Sequence, residues 1–200
     1  MIDTVAVLGA GNGGSTFAAH LGLKGFRVRH YEAPQFARNI EAIKQCGYID
    51  LTGAIEGRGK VEKASCDMKE AVSGAQLIIV AVPGFAHDHI MSGVIDHLEE
   101  GQIMLFFPGN YAALRLYRML KGKGIEKKVA VCETSSMLYA CRRTGPSEVM
   151  VRAMKNQMPV GVIPSKDTKG IVERLNGVFE EFTPAQNVLG ASMGNPNCMV

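Results

Sequence analysis

The apolar positions of this chain fall into two alternating rhythms. TVAVLG (4–9), FRVRHYE (26–32), AQLIIVAVP (75–83), QIMLFF (102–107) and KVAVCET (128–134) are short aliphatic, largely β-branched runs, and they predict strands. Between them, GGSTFAAHLGLKG (13–25), PQFARNIEAIKQCG (34–47), residues 87–98 and YAALRLYRML (111–120) predict helices. Pro34 in a first turn and Gly47 just past a helix end suit the backbone at those places. Strands alternating with helices build a parallel sheet covered on both faces. LIIVAV, apolar at every position, marks a central strand.

Two stretches break the rhythm. Residues 48–66, YIDLTGAIEGRGKVEKASC, carry two short alternating runs around a glycine-rich turn and predict a hairpin or paired edge strands. From Met137 onward, LYACRR, EVMVRAMK and MPVGVIPS predict additional antiparallel strands, followed by a helix over 168–182. The expected fold class is therefore α/β, a doubly wound Rossmann-type, mostly parallel sheet with extra C-terminal antiparallel strands and helices on both faces.

Composition narrows the function classes. With 200 residues, 46% of them apolar, the chain can fill one ordinary core. A net charge of +3 with both signs interspersed lacks the basic stripe that nucleic-acid binding needs. MIDT runs straight into VAVLGAG, so neither a signal peptide nor a membrane span is expected here, and a cytoplasmic location is the expectation. Cys46, Cys66, Cys132, Cys141 and Cys198 form no CxxC pair and are expected to be buried, reduced thiols with no metal role.

The candidate chemistry begins at VAVLGAGNGGS. Gly9, Gly11 and Gly14 fit G-x-G-x-x-G after a strand and before a helix, with Glu32 ending the second strand 18 residues beyond Gly14. The first glycine permits the tight turn, the second lets a pyrophosphate approach, and the third lets helix and strand pack closely. The turn Gly9, Ala10, Gly11, Asn12, Gly13 and Gly14 is thus the expected pyrophosphate cradle at a helix N-terminus. Glu32 would accept hydrogen bonds from the ribose hydroxyls and repel a 2′-phosphate, which favours NAD(H) over NADP(H), although Arg29 and Arg38 nearby leave NADP(H) open. Open α/β sheets bind ligands beyond the carboxyl ends of their strands. Ala81, Val82 and Pro83, and then Gly109 and Asn110, are accordingly expected beside the cofactor, with Glu133 and Thr134 facing substrate. Of the five histidines, His87 is the one expected near that cleft.

VAVLGAGNGGSTFAAHL, the acid after strand 2, LIIVAVPGFAH, the FFPGN turn and CETSSMLYACR together resemble the N-terminal NAD-binding domain of the opine dehydrogenases, over nearly all 200 residues. The resemblance implies NAD(P)H-dependent reductive condensation of a 2-oxo acid such as pyruvate with the amino group of an amino acid. Those two substrates and the dinucleotide are the implied partners, and a homo-oligomer is compatible with it. It also implies a division into a nucleotide-binding domain over 1–184 and, at 185–200, the hinge into a helical substrate domain. The family pattern there is Asn, three residues, then His-Pro, with the histidine as general acid/base. Asn197 matches the Asn as a substrate-binding residue and the histidine would follow Val200, so no catalytic residue is expected within these 200 residues and the chain alone is expected to bind cofactor without turnover. Two other readings stand beside this one: an NAD-binding sensor or subunit that pairs with a separate chain, and a glycerol-3-phosphate or ketopantoate type of reductase.

Overall fold

The computed structural model describes residues 1–194. Its main sheet has eight strands. Six run parallel: β1 (Thr4–Leu8), β2 (Arg27–Tyr31), β5 (Lys63–Ser65), β6 (Leu77–Val80), β7 (Ile103–Phe106) and β8 (Ala130–Thr134). They lie in the order β5-β2-β1-β6-β7-β8, so chain order reverses direction between β1 and β6. That reversal opens the crevice in which doubly wound sheets hold dinucleotides. Beyond β8 the sheet continues with β11 (Met158–Ile163), antiparallel to β8, and β12 (Phe182–Pro184), parallel to β11.

The strict alternation of a strand divides the apolar side chains between two cores. Val5, Val7, Leu77, Ile79, Ile103 and Leu105 face one side and pack with Phe17, Ala18 and Leu21 of α1 (Asn12–Leu23), Ile40 and Ile43 of α2 (Arg38–Cys46), and Val172 and Leu175 of α6 (Thr168–Asn176). Ala6, Leu8, Ile78, Val80, Met104 and Phe106 face the other side. They pack with Ala71 and Val72 of α3 (Met68–Val72), Ile90, Met91 and Val94 of α4 (His87–Val94), and Ala113, Leu116 and Leu120 of α5 (Ala112–Gly122).

The two irregular stretches come together as one structure. β3 (Tyr48–Gly53) and β4 (Gly57–Lys60) form the expected antiparallel hairpin, as do β9 (Tyr139–Gly145) and β10 (Glu148–Met154). β10 then pairs in parallel with β3, making a four-stranded second sheet that lies against α1. The contact is close enough to require glycine: a Cβ on Gly59 would lie 1.8 Å from the Ala19 carbonyl oxygen, and one on Gly22 would lie 2.1 Å from the Lys60 oxygen.

Several elements differ from expectation. The helix expected over 168–182 stops at Asn176, with Gly177 as its C-cap, and the Asn176 amide reaches forward to the Phe182 carbonyl at 3.1 Å as the chain turns into β12. α3 and α7 (Val188–Met193) are additional, and each is started by a side-chain cap, Asp67 on the Glu70 N–H and Asn187 on the Gly190 N–H. Of the thiols, Cys132 is buried as expected, whereas Cys46 is exposed and Cys66 and Cys141 are half-buried; Cys198 lies outside the described residues.

Candidate functional site

The chain leaves β1 at Leu8 and turns at Gly9 with φ +103°, where a Cβ would lie 2.6 Å from Val82 Cγ1 and 2.8 Å from the Ala81 oxygen. Both conformation and space restrict that position to glycine. A Cβ on Gly14 would fall 1.7 Å from the Gly9 oxygen, so the third glycine is what lets α1 start directly against the turn. At Gly11 a Cβ would meet nothing within 4 Å, which leaves open space beside the middle of the turn. α1 begins with Gly11 as N-cap and no side-chain cap, so its first-turn N–H groups retain their capacity for an anion.

Glu32 directly follows β2 and is only 8% exposed, and its carboxylate accepts three hydrogen bonds: from the Ala10 N–H at 3.1 Å, the Ala33 N–H at 2.9 Å and the Asn39 amide at 3.3 Å. The carboxylate is thereby tied to the glycine turn itself. Gly9, Gly11, Glu32, Ala33, Asn39, Ala81, Val82 and Pro83 line a cavity of about 480 Å³, together with His89, Ile90 and two aromatics, Phe36 (52% exposed) and Phe85 (90% exposed). This is an apolar slot with one carboxylate at its end, of a size that admits a nucleoside. Arg29 lies elsewhere, hydrogen-bonded to the Ser73 carbonyl, and neither it nor the exposed Arg38 lines the cavity.

Other side chains hold the turn from behind. His30 is fully buried and its Nε2 lies 3.1 Å from the Gly9 carbonyl oxygen; burial pushes its pKa down to about 4, so at neutral pH the uncharged ring donates there. Arg143, on β9 of the second sheet, donates from Nη1 to the carbonyls of Ala10 (2.6 Å) and Asn39 (3.0 Å) and from Nη2 to that of Pro146 (2.6 Å). Its own N–H donates to Asn12 Oδ1 at 2.9 Å, which turns the Asn12 side chain toward the second sheet.

The ends of the other parallel strands meet the turn. The Ala81 N–H bonds the Leu8 carbonyl and the Phe107 N–H bonds the Val80 carbonyl, both at 2.9 Å. Gly109 packs on Glu133, 2.3 Å from whose Cβ an added methyl would lie, and its N–H bonds the Thr134 carbonyl at 2.9 Å. Asn110 and Tyr111 follow in left-handed conformations, φ 47° and 63°, with the Asn110 amide beside Gly84.

Glu133 is fully buried. Its carboxylate accepts from the Ala113 N–H at the start of α5 (2.9 Å) and from the Ser192 hydroxyl of α7, and burial pushes its pKa up against those bonds. Thr134, equally buried, has its single hydroxyl proton within reach of two carbonyls, that of Ser136 at 2.9 Å and that of Phe106 at 3.2 Å. Both residues therefore lie under the loops at the carboxyl edge, with their polar atoms directed into the protein.

His87 is also buried, against Phe106 and within 3.3 Å of Arg115; His89, two residues on, is the histidine that lines the cavity. Asn197 lies outside the described residues. Among the described residues no group of three His, Cys, Asp or Glu side chains gathers as a metal site, and no helix is long and apolar enough to cross a membrane.

Phe36, Asn39, Phe85, His89 and Arg143 were not singled out by sequence. Phe36 and Phe85 had a usable signal, since each follows within four residues of an expected ligand-binding position, Glu32 and Pro83. Arg143 had none, because only the pairing of β9, β10 and β3 brings it to the turn.

A glycine turn with uncapped N–H groups, a carboxylate 18 residues on and an apolar slot between them, all at the reversal point of a parallel sheet, define a dinucleotide-binding domain. Residues 4–131 match the family described as the NAD-dependent glycerol-3-phosphate dehydrogenase N-terminus. The chain belongs to that family and corresponds to the N-terminal NAD-binding domain of the opine dehydrogenases.

An opine dehydrogenase of Arthrobacter sp. (strain 1C) is 33% identical over 199 residues, which cover 98% of this chain and 55% of that protein. An octopine dehydrogenase solved with NADH and L-arginine superposes with a TM-score of 0.76 at 20% identity, over 94% of this chain and 49% of that one. A yersinopine dehydrogenase solved with NADP+ gives 0.76 at 19% identity, over 96% and 49%. The chain thus spans about half the length of these relatives.

Proposed function

We propose that this chain is the cofactor-binding part of an oxidoreductase that joins a 2-oxo acid such as pyruvate to the amino group of an amino acid, and that it favours NAD(H) over NADP(H). The observation that carries the reading is Glu32. Three donors already fix its carboxylate, which leaves about one lone-pair direction for a ribose hydroxyl and a fixed negative charge where a 2′-phosphate would lie. No arginine lines the cavity among the described residues, and Arg143, whose charge Glu32 feels from behind the turn, directs its guanidinium to backbone carbonyls.

The residues fit the cofactor part by part. The slot between Phe36, Pro83 and Phe85 would take the adenine, and the open side of Gly11 and the first turn of α1 would take the diphosphate; Gly109 and Asn110, which do not line this slot, would border the nicotinamide from the end of β7. The bound nicotinamide would supply a hydride. The protein's part is to orient the ring and keep water from it.

Glu133 and Thr134 would serve substrate by holding the loops at 107–111 and 135–137, Glu133 through the start of α5 and Thr134 through the Ser136 carbonyl. Asn197 is proposed as a direct substrate contact by its place in the family pattern. Residues 185–200 are proposed as the hinge, with α7 anchoring its start: Val188 is buried against Gly161 of β11. The opine-forming reaction is proposed for a protein of the relatives' full length, of which this chain spans about half.

Fluorescence titration of the chain with NADH and NADPH tests the cofactor assignment. NADH should bind at least tenfold more tightly, and Glu32→Ala should weaken NADH about tenfold while narrowing the gap to NADPH. A parent chain that binds NADPH more tightly would overturn the preference.

A further inference from the structure

The glycine turn is gripped on its carbonyl side by side chains from two sheets. His30 of the main sheet takes the Gly9 oxygen, Glu32 takes the Ala10 N–H, and Arg143 of the second sheet takes the Ala10 oxygen. The two peptide groups that flank the Ala10 Cα are thus each held, the one before it by a carboxylate on the Ala10 N–H and the one after it by a guanidinium on the Ala10 C=O. Among the described residues the guanidinium donates to three backbone carbonyls and to no carboxylate, although Glu32 lies within its field. The next residue is Gly11, beside which the space is open, and then Asn12, whose side chain bonds the Arg143 N–H.

An anion can approach a βα turn only if its carbonyl dipoles point away and its N–H groups point toward it. It must also tolerate the nearby charge of Glu32, which the ribose needs but a diphosphate does not. We propose that Arg143 is a positioning residue of the nucleotide site: it holds the Ala10 carbonyl back and screens the diphosphate from Glu32, without itself contacting the nucleotide. The second sheet would then be a structural part of the nucleotide site. This inference rests on the nucleotide-binding reading above.

A residue that only fastens the second sheet to the turn would affect every part of the nucleotide equally. The proposed role weighs on the diphosphate alone. The test therefore compares NADH and ADP-ribose, which carry a diphosphate, with adenosine, which does not, by fluorescence and ligand-observed NMR on the whole chain.

Arg143→Met should raise the Kd of NADH and ADP-ribose roughly tenfold or more and leave adenosine within about twofold. Arg143→Lys, which keeps a charge but loses the fork, should fall between. A Met variant that binds NADH as the parent does, or one that loses adenosine and ADP-ribose in equal proportion, overturns the proposal. Should the Met variant fail to fold, the Lys variant decides: an ADP-ribose to adenosine affinity ratio equal to the parent's overturns it. A parent chain that binds neither NADH nor ADP-ribose would instead overturn the nucleotide reading, and with it this inference.

Discussion

Gly14 shows how much a single residue can fix. An alanine there would place its methyl 1.7 Å from the Gly9 oxygen, and since both atoms lie in backbone, α1 would have to move away from β1. Gly14→Ala should therefore destabilise the chain by roughly 3 kcal/mol, measured by urea unfolding, and abolish NADH binding. Gly11→Ala, whose methyl meets nothing in the protein, should melt like the parent and weaken NADH alone. The close packing at Gly14 and the open space at Gly11 were legible because the spacing of glycines after a strand carries a backbone geometry. The sequence was less informative about Glu133 and Thr134. Polar residues at a strand end look alike whether they face a cleft or cap a neighbouring helix, and here the buried start of α5 and Ser192 of α7 claim the Glu133 carboxylate. His87 and His89 were indistinguishable for a related reason: two positions along a helix turn the side chain by more than half a circle, and the exact helix start decides which one is buried.

At the level of elements, hydrophobic rhythm located every parallel strand of the nucleotide-binding core except the three-residue β5, and both hairpins of the second sheet. What it did not locate were the short elements, α3, β12 and α7, each too brief to show a period and dependent on a cap or a neighbour. Nor could it show that the two hairpins join, since the parallel pairing of β3 with β10 has no local signature. The joint sheet reaches α1 through Gly22 and Gly59. Gly59→Ala should lift β4 from the helix and cost roughly 2 kcal/mol. Hydrogen exchange should then speed up at the amides of β3 and β4, while those of β6 and β7 keep their protection.

At the level of the whole molecule, buried imidazoles make the fold sensitive to acid. Burial pushes His30 down to about 4 from an ordinary 6.5, and His20 and His87 are lowered in the same direction for the same reason. As pH falls, the unfolded chain takes up these protons first, so the stability they contribute is complete above about 6.5 and is lost progressively toward pH 4. His30 alone should contribute a slope of about 1.4 kcal/mol per pH unit in that window. Urea unfolding from pH 7 to 4.5 should show the decline, and His30→Gln should make it shallower while leaving the part due to His20 and His87.

The pairing of β3 with β10 has a consequence during synthesis. The first hairpin leaves the ribosome about a hundred residues before the strand that completes its sheet, which at about 5–20 residues per second is a wait of roughly 5–20 s. Throughout that interval Ile49 and Leu51 can shelter against α1 but not against β10, and one backbone edge of β3 stands unpaired. Nascent chains halted before residue 139 would therefore be the form of this protein most exposed to edge-to-edge association, and the form for which a chaperone would matter most.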